Sequence, residues 1–271
     1  MQAVLNRFGL ARPPFTKELR AEDLFAAPSH VAAVERLQSA IEVKASGTLV
    51  GETGVGKTCV LRGLQHRLNP ARFRVTYLHH ANVSPRDFYR QLSMVLGLEP
   101  KSHPSAMLRQ IQAHMEDLAD EQKIHPVLCL DEAQLLPAGM LEQLHILLNF
   151  RMDSRAFLSI VLVGLPELHE RLARNVFGSL SSRLPARVHL EPLGVDDLAA
   201  YLQHRLQIAG SAQEVFCEDA VRVIREATGG VLRKVDILAQ HCLEVAAEGK
   251  SALVDGTVAL AAVKICVEAL R

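Results

Sequence analysis

Eight residues, Gly51-Glu52-Thr53-Gly54-Val55-Gly56-Lys57-Thr58, fit the pattern Gly-x-x-x-x-Gly-Lys-[Ser/Thr]. Such a run is built for phosphate. Its glycines let consecutive backbone N–H groups curl round an anion at a helix N-terminus, where the helix dipole already favours negative charge. Lys57 would neutralise the β- and γ-phosphates of a nucleotide and Thr58 would hold Mg²⁺ through its hydroxyl, with Cys59 continuing the loop into a helix. A second run, Val127-Leu128-Cys129-Leu130-Asp131-Glu132, is an apolar strand ending in two acids. Asp131 suits a water ligand of Mg²⁺, and Glu132 suits a base that orients and deprotonates an attacking water. The Asp-Glu pair favours an ATPase with its own hydrolytic base. No Asn-Lys-x-Asp guanine motif occurs.

These groups need strands and helices to hold them. Before the loop, Val31, Val34, Leu37 and Ile41 recur at helical spacing from Ser29 to about Lys44, and Gly47 closes the run. The loop then lies between a strand around Thr48–Val50 and a helix rich in Val60, Leu61 and Leu64. Further strands are predicted at Phe73–Leu78, Val127–Asp131, Phe157–Val163 and Val188–Leu190, alternating with helical patterns. That alternation argues for a mostly parallel sheet covered on both faces. After the second strand, Ser84, Pro85 and Asp87 supply an N-cap, a preorganised first position and a capping-box acid, and Phe88, Leu92, Val95 and Leu96 form the apolar stripe. Beyond Pro192-Leu193-Gly194 the strand signal ends, and helical patterns follow at Asp196–Ala209, Asp219–Thr228, Leu232–Glu248 and Thr257–Leu270. The predicted organisation is an irregular N-terminal arm over 1–27 packed on the core by its aromatic residues, an α/β domain over 28–193 and an all-helical domain over 194–271.

Composition narrows the partners. With 271 residues and 49% hydrophobic content the chain can bury a large core, and 30 basic against 30 acidic residues deny it the charge of a stand-alone nucleic-acid binder. No apolar stretch is long enough for a membrane span and no signal-peptide pattern opens the chain, so the expectation is a cytoplasmic protein with no membrane partner. The five cysteines have no metal or redox spacing and are expected to be reduced core residues. The twelve histidines show no set of neighbours at ligand spacing.

On these motifs the chain resembles the AAA+ ATPases of the ExeA, TnsC, Mu B and IstB type, close to the initiator clade. The resemblance rests on Phe8-Gly9-Leu10, Pro14-Phe15, the phosphate loop, Leu130-Asp131-Glu132-Ala133-Gln134, Leu162-Val163-Gly164-Leu165-Pro166-Glu167-Leu168, and Thr228-Gly229-Gly230 with Arg233. It implies a P-loop core with a parallel five-stranded sheet flanked by helices, and a small helical lid. It also implies a homo-oligomer, a ring or a filament, whose ATP site is completed by a neighbouring subunit. Arg183 stands where similar proteins supply an arginine finger, with Arg187 in reserve, and Arg233 matches a sensor that contacts the nucleotide in cis. Two departures stand out: Leu232 precedes Arg233 and Asp236 follows it, where similar proteins have Pro and Asn, and Val163-Gly164 offers no polar sensor after the fourth strand.

Members similar to this chain are transposition regulators that coat DNA, or secretion ATPases that are generally longer. The shorter chain points to the former: an ATPase that assembles on duplex DNA with little sequence preference and recruits a transposase, with a target-selection adaptor as a further candidate partner. His80, Arg86 and Arg90 are the candidate DNA contacts, with Arg86 and Arg90 four apart on one helix face. The alternatives are a secretion or envelope ATPase of the ExeA kind acting on proteins, and a helicase-loader or initiator-like ATPase.

Overall fold

The computed structural model describes residues 1–79 and 84–266; the candidate DNA contact His80 lies outside them, as do residues 267–271. Along the chain run α1 (Gln2–Phe8), α2 (Pro28–Glu42), β1 (Gly47–Val50), α3 (Lys57–Arg67), β2 (Phe73–His79), α4 (Pro85–Val95), α5 (Pro104–Asp120), β3 (His125–Asp131), α6 (Ala138–Leu147), β4 (Ser159–Gly164), α7 (Glu167–Leu172), α8 (Gly178–Ser181), β5 (Ala186–His189), α9 (Val195–Ile208), α10 (Glu218–Thr228), α11 (Leu232–Glu248) and α12 (Gly256–Cys266).

The five strands form one sheet in the order β2-β3-β4-β1-β5, and every pairing is parallel. Burial follows that order. Every residue of the inner strands β1, β3 and β4 is buried, as expected where helices cover both faces, whereas β2 and β5 at the edges expose part of their side chains. Because the strands are parallel, all their C-terminal ends lie along one edge. β1 and β3 flank β4, so the strand that runs into the phosphate loop and the strand that ends in Asp131 finish about 10 Å apart across one intervening strand.

The chain divides into two compact units, one of residues 32–51 and 60–190 and the other of residues 1–31, 52–59 and 191–271. The first holds the sheet and a core that runs from Phe88 and Leu92 through Leu128 and Leu130 to Leu162 and Leu180. Helix α4 starts as its sequence specifies: Ser84 Oγ accepts from Asp87 N at 3.2 Å and donates to Asp87 Oδ2 at 2.6 Å. Its buried face differs from the expected stripe, since Tyr89 and Ser93 join Phe88 and Leu92 while Val95 is 51% exposed. A bulkier ring at 89 wins the inward position.

At the start of β3, His125 is buried and its Nε2 lies 2.8 Å from Ser159 Oγ. Burial, with the Lys44 charge, pushes its pKa down to about 4. A histidine depressed below its usual 6.5 costs nothing above that pH, and stability is lost as pH falls from 6.5 through 4. Urea unfolding at pH 4.5 should therefore show roughly 2–3 kcal/mol less stability through this group than at pH 7. His125→Gln should flatten that part of the profile; an unchanged acid limb would remove His125 as its cause.

The second unit is helical around α9 to α12. The N-terminal arm, expected on the α/β core, instead contributes Val4, Phe8 and Leu10 to this helical core beside Leu198, Leu202 and Val235. Phe15 meets Phe216 edge-on at 6.3 Å, and Phe25 meets Tyr201 at 5.6 Å. The arm is also less irregular than expected, because α1 ends in a left-handed Gly9 at φ 64. Polar ties reinforce the packing. Arg205, 3% exposed, donates from Nε to Pro14 O and from Nη2 to Thr16 O, each at 2.7 Å.

Candidate nucleotide site

β1 passes into the loop through Gly51, whose N–H donates to Gly164 O at 3.2 Å. Glu52 and Thr53 are exposed, then Gly54 at φ 86 and Gly56 at φ 105 adopt backbone that side-chain-bearing residues rarely enter. Space forbids a side chain as firmly as the torsion does. A Cβ on Gly54 would stand 2.8 Å from Arg233 Cβ, and one on Gly56 would stand 2.4 Å from His30 Nε2. His30, on the first turn of α2, is 6% exposed and its Nε2–H donates to Val55 O at 3.1 Å, while burial holds its pKa below the usual value. The neutral ring thus braces the loop from beneath. Lys57 opens α3 and its ammonium donates to Glu52 O at 3.1 Å.

This arrangement fits a polyphosphate. The first turn of α3 brings N–H groups without intrahelical partners, the glycines keep the cradle clear, and Lys57 adds positive charge. Thr58 is exposed on that same turn, so its hydroxyl is accessible to a metal ion. Arg233, the second residue of α11, donates from its backbone N–H to Gly54 O at 3.1 Å, and its side chain is exposed. Asp236, the departure one turn later, has a structural explanation. It accepts from Tyr201 Oη at 2.5 Å and pairs with the buried Arg205 at 3.4 Å.

In the sheet unit, Asp131 is 7% exposed at the end of β3. Its Oδ2 accepts from Tyr77 Oη at 2.6 Å and its Oδ1 from Glu132 N at 2.9 Å, and these two bonds fix the orientation of the carboxylate. Burial and that carboxylate push the Tyr77 hydroxyl well above its usual pKa, so Tyr77 stays a donor. Glu132 turns left-handed, φ 53 and ψ 35. Its Oε2 accepts from Gln134 Nε2 at 2.7 Å. Tyr77, His30 and Gln134 are functional neighbours that sequence reasoning missed or left without a role. Gln134 at least stood within the quoted motif; Tyr77 needed the β2–β3 register, where it pairs with Cys129.

Arg183 is half-buried, its Nη2 bridged to Asp153 Oδ2 at 2.6 Å and its Nη1 donating to Ser179 O at 3.1 Å. Arg187 projects from the edge strand β5 and donates to Ser181 Oγ at 2.7 Å. Arg86 and Arg90 are both exposed on α4, and neither has an ion-pair partner among the described residues. Cys129, Cys242 and Cys266 are buried, but Cys59 and Cys217 are only partly so and are not the core residues expected, because each lies beside a loop. Among the described residues no histidine, cysteine and acid cluster could hold a metal, and no helix is long and apolar enough to cross a membrane.

Comparison with known proteins agrees with this geometry. Residues 41–172 match the AAA domain family. General secretion pathway protein A of Aeromonas hydrophila is 32% identical over 263 residues, which are 95% of this chain and 48% of that protein. The chain thus spans about half the length of this curated relative. Among solved structures, the Aeropyrum pernix ORC2 protein in ADPNP–ADP complexes aligns with TM-score 0.69 at 16% identity, covering 94% of this chain and 71% of that one. The ORC1 protein of the same organism in complex with DNA aligns with TM-score 0.66 at 17% identity, covering 93% and 68%. At such identities these two show the fold alone. Family match, sheet order and phosphate loop together make the chain an AAA+ P-loop ATPase.

Proposed function

We propose that this ATPase is an ATP-gated assembly switch that acts on a protein partner of the secretion-pathway kind. The observation that carries the reading is the 32% identity with General secretion pathway protein A, spread over 95% of the chain rather than confined to the nucleotide motifs. In this reading Lys57 and the 51–58 backbone seat the ATP phosphates, and Thr58 and Asp131 hold Mg²⁺, which supplies charge neutralisation on the phosphates when bound. Glu132 takes a proton from the attacking water, and Arg233 senses the nucleotide in cis.

The site is completed by Arg183 of a neighbouring copy. Two features support this: the side chain is partly exposed, and its charged partner, Asp153, is 57% exposed and so holds it weakly in water. An arginine delivered across an interface disperses charge on the transferring phosphate and is worth roughly 10³-fold or more in rate. Arg183→Ala should bind ATP as the parent does, yet lose hydrolysis by about that factor in the assembled state. Normal turnover by an assembled Arg183→Ala protein would transfer the role to Arg187.

A second reading, ATP-gated binding of duplex DNA with recruitment of a transposase, is favoured by Arg86 and Arg90, exposed together on α4 without ion partners among the described residues. One experiment separates the two. Light scattering follows assembly with an ATP analogue, with ADP and without nucleotide, while fluorescent duplex DNA reports binding at two salt concentrations. Nucleotide-gated assembly that leaves the duplex free supports the protein-partner reading. Binding that appears only with the analogue, falls with salt and weakens in Arg86→Ala with Arg90→Ala supports the DNA reading. Assembly indifferent to nucleotide would overturn both.

A further inference from the structure

The end of β4 presents an oddity. Val163 is fully buried and Gly164 has no side chain, so this strand brings no polar group to the sheet edge where Asp131 and Glu132 lie. The space is nevertheless filled. A Cβ built on Gly164 would stand 2.4 Å from Gln134 Oε1, which reaches over from the turn that follows β3. Gln134 Oε1 accepts from Leu165 N at 3.2 Å, and its Nε2 donates to Glu132 Oε2 at 2.7 Å. The two bonds define the amide orientation, because a backbone N–H requires an oxygen and a carboxylate requires a donor. The turn itself is anchored from α7: Arg171 donates from Nη1 to Gln134 O and from Nη2 to Leu136 O, the latter at 2.8 Å.

We propose that Gln134 is a positioning residue for ATP hydrolysis, clamping the carboxylate of Glu132 against the end of β4 and holding there the place that Gly164 leaves open. The proposal rests on the reading of Glu132 as the base. A carboxylate that must accept a proton from water works only in a narrow range of orientations, and Glu132 leaves β3 in left-handed backbone that its own torsions do not secure. A donor fixed at its far end by Leu165 N removes that freedom. Gly164 is then glycine for space rather than for backbone torsion: a methyl group there would push the amide off both of its partners.

Steady-state ATP hydrolysis and binding of a fluorescent ATP analogue test this on the full chain. Gln134→Ala should lower kcat by about 10²-fold with analogue affinity within threefold of the parent. Gln134→Glu keeps the length and the acceptor for Leu165 N but removes the donor, and should lose as much. Gly164→Ala should reproduce that loss, and in the Gln134→Ala background should cost nothing further, because both changes break one interaction. Full activity in Gln134→Ala or Gln134→Glu would overturn the proposal. So would independent losses in the double variant, or a fall in analogue affinity as large as the fall in kcat. Glu132→Gln run in parallel keeps the two ideas apart. If it turns over normally, the base assignment itself fails; if it is inactive while Gln134→Ala is normal, only the role of Gln134 fails.

Discussion

Lys57→Ala should bind ATP at least about 10²-fold more weakly than the parent, the loss expected when a charge-assisted contact of roughly 3 kcal/mol disappears. Calorimetric titration with ATP measures it. The substitution suits the question because alanine favours the first turn of α3, so the helix that presents the loop should persist. The lysine also bonds Glu52 O, so part of the loss would come from a looser loop entrance. A dissociation constant within threefold of the parent would detach Lys57 from phosphate binding altogether.

Glu132→Gln should leave ATP affinity intact and reduce kcat by roughly 10²–10⁴-fold, the range attributed to a positioned general base. Its amide oxygen can still accept from Gln134 Nε2, so the local geometry survives while the proton acceptor is gone. With hydrolysis blocked, the ATP-bound assembly should accumulate, and light scattering with ATP should match that of the parent with a non-hydrolysable analogue. Rapid turnover by this variant would mean that another group takes the proton.

Much of this was legible in the residues because the relevant signals are local. Inner strands such as Val127–Asp131 read as continuous apolar runs because they are buried on both faces, and the phosphate loop announces itself by glycines that admit no substitute. Where the reading slipped, the deciding contact was distant in sequence. β4 begins at Ser159, two residues later than expected, because Phe157 is drawn out of the ladder to pack on Phe150, with ring centres 5.4 Å apart. The arm was visible as a string of aromatic residues, but periodicity does not say which surface they seek; Phe15 found Phe216, some two hundred positions on. Tyr77 and Gln134 could be joined to the acids only once strand order and register were known. The departures at Asp236 and Gly164 look like defects in a motif and are instead answered by Arg205 and Gln134.

Helix α11 has two grips on its own unit. At its first turn Arg233 N–H holds the carbonyl of Gly54 in the phosphate loop, and one turn later Asp236 holds Arg205, which in turn holds the carbonyls of Pro14 and Thr16 in the arm. Loop and arm are therefore hitched to the same rod. A turn of that rod would carry Gly54 and the segment around Pro14 and Thr16 together, so that these two stretches of the unit share one mechanical support.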